Sequence, residues 1–195
     1  MNRTATLARN TLEVEIELKL NLDGYGETKI DTGIGFFDHM LELLACHGRF
    51  DLALTARGDR EVDDHHTVED VGIALGEAFD IALGDAKGVR RYSSILLPMD
   101  EALAQVAIDA SGRGLAVLST PFDGRIGAFD AQLIDEFLIA FARSGRLTLH
   151  ASLLAGTNRH HMAEALFKGV GRALAEVVKR DGASEEIPST KGVLR

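Results

Sequence analysis

Asp64-His65-His66-Thr67-Val68-Glu69 in the first half of the chain returns as Arg159-His160-His161-Met162-Ala163-Glu164 in the second. Imidazole and carboxylate together suit a divalent Mn, Fe, Ni, Co or Zn ion, and the absence of thiolate argues against a soft metal. Adjacent residues on a helix point about 100° apart, whereas residues three or four apart share a face. Each helix is therefore expected to offer one histidine to one ion and its neighbour to another, with Glu69 or Glu164 beside one of them. A single His-His pair reads most simply as two surface histidines. Recurrence of the whole pattern points instead to ligands, carried on two helices that descend from one unit.

Hydropathy patterning supplies the elements that must hold these helices. Residues 12–20 alternate apolar and polar strictly, as a half-buried strand does. Asp23-Gly24-Tyr25-Gly26 then reads as a hairpin turn. Residues 36–46 shift to helical spacing and stop at Gly48, a natural C-cap; residues 50–56 alternate again; residues 67–83 form a long apolar-faced helix ending at Gly84. The second half repeats the order, with strands over 102–110 and 114–119, a helix over 132–142 stopping near Gly145, a strand over 147–155 and a helix over 161–179. In this register His39 coincides with Glu136, each on the helix before a His-His-x-x-Glu helix, so each repeat offers one further ligand. One repeat has too few layers to cover its sheet. The expected fold is α+β: duplicated strand-strand-helix-strand-helix units, divided at 1–92 and 93–195, with helices packed between two mixed β-sheets.

The chain has 195 residues and a net charge of -9, enough length for a proper core and too acidic for nucleic-acid wrapping. Cys46 is the sole cysteine, which excludes an internal disulfide and suits a reducing cytoplasm; it is expected to be a small buried residue. The first twenty residues lack the apolar centre of a signal peptide, and no stretch approaches a membrane span. Arg91, Arg113 in Ser111-Gly112-Arg113-Gly114, and Lys168 are the basic residues best placed for an anion, though each alone reads as a solvated charge. The stretch from 182 to 195 has no helical or strand pattern and is expected to be disordered; its hydroxyl pair beside Lys191 offers a second anion-binding element.

Gly35-Phe36-Phe37-Asp38-His39-Met40-Leu41, Asp63-Asp64-His65-His66-Thr67-Val68-Glu69-Asp70, His160-His161 with Glu164, and Pro188-Ser189-Thr190-Lys191-Gly192-Val193-Leu194 together resemble the imidazoleglycerol-phosphate dehydratase family of histidine biosynthesis. The resemblance runs over nearly the whole chain. It implies a ribosomal protein S5 domain 2-like fold and a cytoplasmic enzyme with two Mn2+ per active site. That enzyme removes water from D-erythro-imidazole-glycerol phosphate to give imidazole-acetol phosphate, in an assembly of 24 subunits with sites between neighbours. Carried over by position, the metal ligands fall on His39, His65, His66, Glu69, His160, His161 and Glu164. The substrate-binding positions fall on Glu13, Arg91, Arg113, Lys168, Ser189 and Lys191, with Thr190 beside them and His47 near the site. Where many members carry a further histidine ahead of a Phe, this chain has Glu136 before Phe137, a carboxylate that can ligate Mn. His150 is expected to be structural.

The proton to be removed sits on a carbon without an adjacent carbonyl, so the substrate's imidazole must take the place of an enolate. The working hypothesis is an imidazolate that passes through a diazafulvene-like intermediate, with Glu69, Glu164 or His39 moving protons. Two other readings compete. A manganese phosphoesterase would share Asp64-His65-His66 but needs further strand-end aspartates, for which Asp51 and Asp109 are poor candidates. A metal-storing cage would use Glu-x-x-His on inward helix faces and has no use for an arginine-lined anion pocket.

Overall fold

The structure, a computed structural model, describes residues 3–180, 186–192 and 194. The first sheet is built from β1 (Thr4–Asn10), β2 (Val14–Asn21), β3 (Thr28–Asp31) and β4 (Asp51–Gly58) in the order β1-β2-β4-β3. Alternation along β2 is realised in full: Val14, Ile16, Leu18 and Leu20 are buried, while Glu15, Glu17 and Lys19 face solvent. Helix α1 (Gly35–Gly48) joins β3 to β4, and α2 (His65–Leu83) follows β4.

The second half has the same plan. β5 (Tyr92–Met99), β6 (Ala102–Asp109) and β7 (Leu115–Ser119) precede a short ribbon of β8 (Arg125–Ile126) and β9 (Phe129–Asp130); α3 (Leu133–Ser144), β10 (Thr148–Ala155) and α4 (Arg159–Val178) complete it. Its sheet runs β5-β6-β10-β7. In each sheet the last two strands pair in parallel and the others antiparallel, so both are mixed. Helices α2 and α4 pack on their own sheets, and the helices meet across the middle as α1 on α4 and α2 on α3. Phenylalanines from all four helices lock that middle layer: Phe137 sits 5.3 Å from Phe37 and 5.5 Å from Phe167, and Phe141 lies 5.9 Å from Phe79 between ring centroids.

Three expectations need correction. Asp23 to Gly26 is no hairpin turn, because β4 lies between β2 and β3. The segment crosses the end of β4, held by Asp51 Oδ1, which accepts backbone N–H groups from Tyr25 (2.8 Å), Gly26 (3.2 Å) and Glu27 (3.1 Å). The true hairpin is β1 to β2, through Thr11, whose hydroxyl accepts the N–H of Glu13 and of Val14. Cys46 is exposed, since the buried stripe of α1 runs through Phe37, Met40, Leu41, Leu44, Ala45 and Gly48 and leaves position 46 off that face. The tail is not without structure over residues 186–192: Glu186 O accepts from Gly88 N (2.9 Å) and Pro188 O from Arg91 Nη1 (2.7 Å), docking it beside the start of β5. Residues 182–185, Val193 and Arg195 lie outside the described residues. No described helix is long and apolar enough to cross a membrane.

Candidate metal centre

Both His-His pairs open a helix, His65-His66 at the first two residues of α2 and His160-His161 in the first turn of α4. Asp63 Oδ1 accepts the N–H of His65 (2.7 Å), and Asn158 Oδ1, at the N-cap, accepts that of His160 (2.9 Å). Within each pair the rings stand almost perpendicular, at 89° and 88°, with their centroids 6.2 and 6.4 Å apart.

Three candidate ligands converge. His39 Nε2 and His160 Nε2 each lie 3.0 Å from Glu164 Oε1, and one donor atom from each residue falls within 4.8 Å of the others. The pairing of α1 with α4 makes this meeting, so His39 joins the helix of the opposite repeat. Phe36 packs edge-on to His160 at 5.5 Å and fixes its plane. Burial pushes the Glu164 carboxyl up, but hydrogen bonds from Lys168 (Nζ to Oε2, 2.6 Å), His39 and His160 outweigh it and hold the group at about 2. Glu164 is thus an anion at neutral pH in the metal-free protein. Two imidazoles and a carboxylate form a donor set that fits a divalent ion such as Mn2+, and Lys168 occupies only the outer oxygen.

The remaining candidates are dispersed within one chain. His65 Nε2 is 3.8 Å from Glu69 Oε2, a looser version of the His160 and Glu164 pair. Glu136 joins no group of three ligands among the described residues, and neither does His150, which is exposed on β10. His66 and His161 turn away from their helix carboxylates. His66 Nδ1 donates to Asp59 (3.0 and 3.1 Å), and His161 Nδ1 donates to Glu101 (2.7 Å). Those bonds raise both imidazoles above their ordinary 6.5, while the His161 bond, with the N–H groups of Asn158 and Thr157, holds Glu101 at about 2. Neither Asp59 nor Glu101 stands out in the sequence: Asp59 is one of four acids between Gly58 and His65, and Glu101 meets a histidine 60 positions away.

The basic residues divide into two places. Arg91 and Arg113 line a cleft of about 630 Å³ with Ser189, Thr190 and Lys191 of the docked tail. Arg91 is pinned by Asp109 (2.8 Å) and lies 4.4 Å over the Tyr92 ring; Arg113 reaches Asp109 only at 3.5 Å, and its side chain is 69% exposed. Lys168 stands apart, on Glu164, with His47 near it. Burial, then the charges of Lys168 and Arg172, lower His47 and favour its neutral form. Glu13 is exposed in the β1 to β2 hairpin, 4.0 Å from His66 Nε2.

Comparison with known proteins decides what this arrangement belongs to. Residues 32–174 match the family described as imidazoleglycerol-phosphate dehydratase. The chain belongs to that family. The imidazoleglycerol-phosphate dehydratase of Exiguobacterium sp. is 55% identical over 97% of both chains, and that of Azorhizobium caulinodans 55% over 98% of both. Among solved structures, the Staphylococcus aureus enzyme superposes with a TM-score of 0.83 at 35% identity, covering 91% of this chain and 99% of its own. The Pyrococcus furiosus enzyme, in complex with (S)-C348, gives 0.84 at 36%, covering 96% and 100%. Family membership makes the chain a hydro-lyase of histidine biosynthesis.

Proposed function

We propose that this chain dehydrates D-erythro-imidazole-glycerol phosphate to imidazole-acetol phosphate in the cytoplasm, using Mn2+ held in two positions. The observation that carries the reading is the convergence of His39, His160 and Glu164, together with a separate cleft where Arg91, Arg113 and Lys191 offer an anion three cations. His39, His160 and Glu164 would hold one ion; His65, His66, Glu69 and His161, with Glu136 as a further carboxylate, are the candidates for the other. Bound metal supplies Lewis acidity at the substrate's imidazole ring.

The chain's own residues do the rest. Arg113, with its exposed guanidinium, and Ser189 and Lys191 on the tail bind the phosphate; Arg91, clamped by Asp109 and Pro188 O, frames the cleft. Lys168 neutralises Glu164, and neutral His47 and Glu13 flank the substrate. From the ring's imidazolate form, the electron pair expels hydroxide from the carbon attached to the ring, giving a diazafulvene-like intermediate. The proton then lost from the neighbouring carbon leaves with that hydroxide as water and returns a pair to the ring, and the enol so formed tautomerises to the ketone. Glu164 or Glu69 carries the proton, with His39 in contact with the former.

Only one three-ligand group forms within a single described chain. Donors from another copy would complete the second position, in keeping with active sites between subunits; the count of 24 rests on the family resemblance alone. Glu164→Gln tests the reading: turnover should fall far more than substrate affinity, and equal turnover would remove Glu164 from the proton transfer.

A further inference from the structure

Asp59 and Glu101 stand in the same relation to the second histidine of each pair. Each receives the Nδ1 proton of its ring, Asp59 through both oxygens at 3.0 and 3.1 Å from His66 and Glu101 through Oε2 at 2.7 Å from His161. The two carboxylates reach this point from different parts of the repeats. Asp59 follows β4, in the loop that leads into α2, whereas Glu101 closes the turn between β5 and β6. Equivalent ring atoms thus meet equivalent groups by unrelated chain paths.

Both residues are themselves anchored, Asp59 through its backbone and Glu101 through its carboxylate. Asp59 N donates to Glu13 O (3.0 Å) and Asp59 O accepts from Val62 N (2.8 Å). Glu101 Oε1 accepts from Asn158 N (2.8 Å) and Thr157 N (3.1 Å), leaving Oε2 for the ring. A proton fixed on Nδ1 leaves the lone pair on Nε2, at the far end of the ring, where Glu13 lies 4.0 Å from His66 and Asp100 3.8 Å from His161. The first histidines instead face the glutamate four residues on.

We propose that Asp59 and Glu101 are positioning residues that fix the tautomer and direction of His66 and His161, so that Nε2 of each is presented to a metal ion. This rests on the reading of both histidines as ligands. Carboxylate partners of ligating imidazoles are worth about 10–100-fold in metal affinity. Asp59 gives the cleaner test, because Glu101 also holds the approach to α4.

The experiment measures Mn2+ affinity, by electron paramagnetic resonance of free Mn2+, for the full chain and for Asp59→Ala, Asp59→Asn and His66→Asn. Solid-state 15N NMR of histidine-labelled, metal-free protein at alkaline pH reports the tautomers. Asp59→Ala should weaken Mn2+ binding about 10–100-fold and remove one Nδ1-protonated ring from the spectrum. Asp59→Asn, whose amide oxygen still accepts that proton, should restore most of both. If His66→Asn weakens binding and Asp59→Ala does not, the positioning role is overturned while the ligand reading stands. If neither variant weakens it, both fall.

Discussion

Gly171→Ala tests whether the contact between α1 and α4 builds the candidate centre. A Cβ at Gly171 would lie 2.3 Å from Leu44 O and 3.1 Å from Gly48 N, where 3.0 Å is the floor for a real Cβ contact. The obstructing atoms are backbone, so no rotamer change relieves the clash, and the helices must part by at least about 0.7 Å. Overpacking costs about 1–3 kcal/mol, and a clash with backbone that no rotamer relieves falls in the upper half, about 2–3 kcal/mol; alanine's better helix propensity returns roughly 1 kcal/mol. The net loss of about 1–2 kcal/mol corresponds to a Tm lower by roughly 2–8 °C for a chain of this size. Leu44 follows His39 on α1 and Gly171 follows Glu164 on α4, so the same separation stretches the 3.0 Å contact of His39 with Glu164. Urea and thermal unfolding of the metal-free protein, with Mn2+ titration alongside, should show lower stability and weaker binding together. An unchanged or raised Tm would refute the packing argument, and lower stability with unchanged Mn2+ affinity would refute the link from helix contact to site.

The metal and phosphate readings carry three further expectations. Glu164→Gln keeps the side chain's shape but removes its charge, so Mn2+ binding should weaken by at least about tenfold; calorimetric titration with the metal checks this. Arg113→Ala removes an exposed guanidinium with only a 3.5 Å partner, so stability should change by less than about 1 kcal/mol while KM rises and kcat holds; steady-state kinetics decide. Chelation should shrink the particle in size-exclusion chromatography, and an unchanged elution volume after full metal removal would contradict shared sites.

The pH dependence has two opposite signs. Glu164, depressed from 4.5 to about 2, lends the metal-free fold stability that is present above pH 4.5 and lost as pH falls towards 2. His66 and His161, raised from 6.5 by Asp59 and Glu101, lend stability that is present below pH 6.5 and lost as pH rises through their raised values. Mn2+ needs neutral imidazole, so its affinity should climb over that same rise. Unfolding titrations across pH 2 to 9, with Mn2+ titrations over pH 5 to 9, read both trends.

What the sequence made legible follows from periodicity and repetition. The ligand helices and their neighbouring strands show because each buries one face, as β2 and α1 do. The divergence of neighbouring histidines, His65 towards Glu69 and His66 towards Asp59, is what helix geometry leads one to expect. Legibility ends where partners come from distant segments. The repeat register made His39 a candidate ligand without saying which helix it meets; the packing of α1 on α4 delivers it to Glu164. Strand β3 is four residues long, too short to show alternation, and β1 and β5 are edge strands whose exposed faces blur it. The turn at residues 23–26 has hairpin composition, but only the parallel pairing of β3 with β4 reveals a crossover. Asp59 and Glu101 stayed hidden because loop carboxylates are common and only the folded chain selects these two.

The most direct test of the central claim is conversion of imidazole-glycerol phosphate by the purified protein, after chelation and again after adding back Mn2+. The account expects no product from the chelated protein and restored formation of imidazole-acetol phosphate with Mn2+. A Mn2+-loaded protein that leaves the substrate untouched, or full activity after complete chelation, would contradict it.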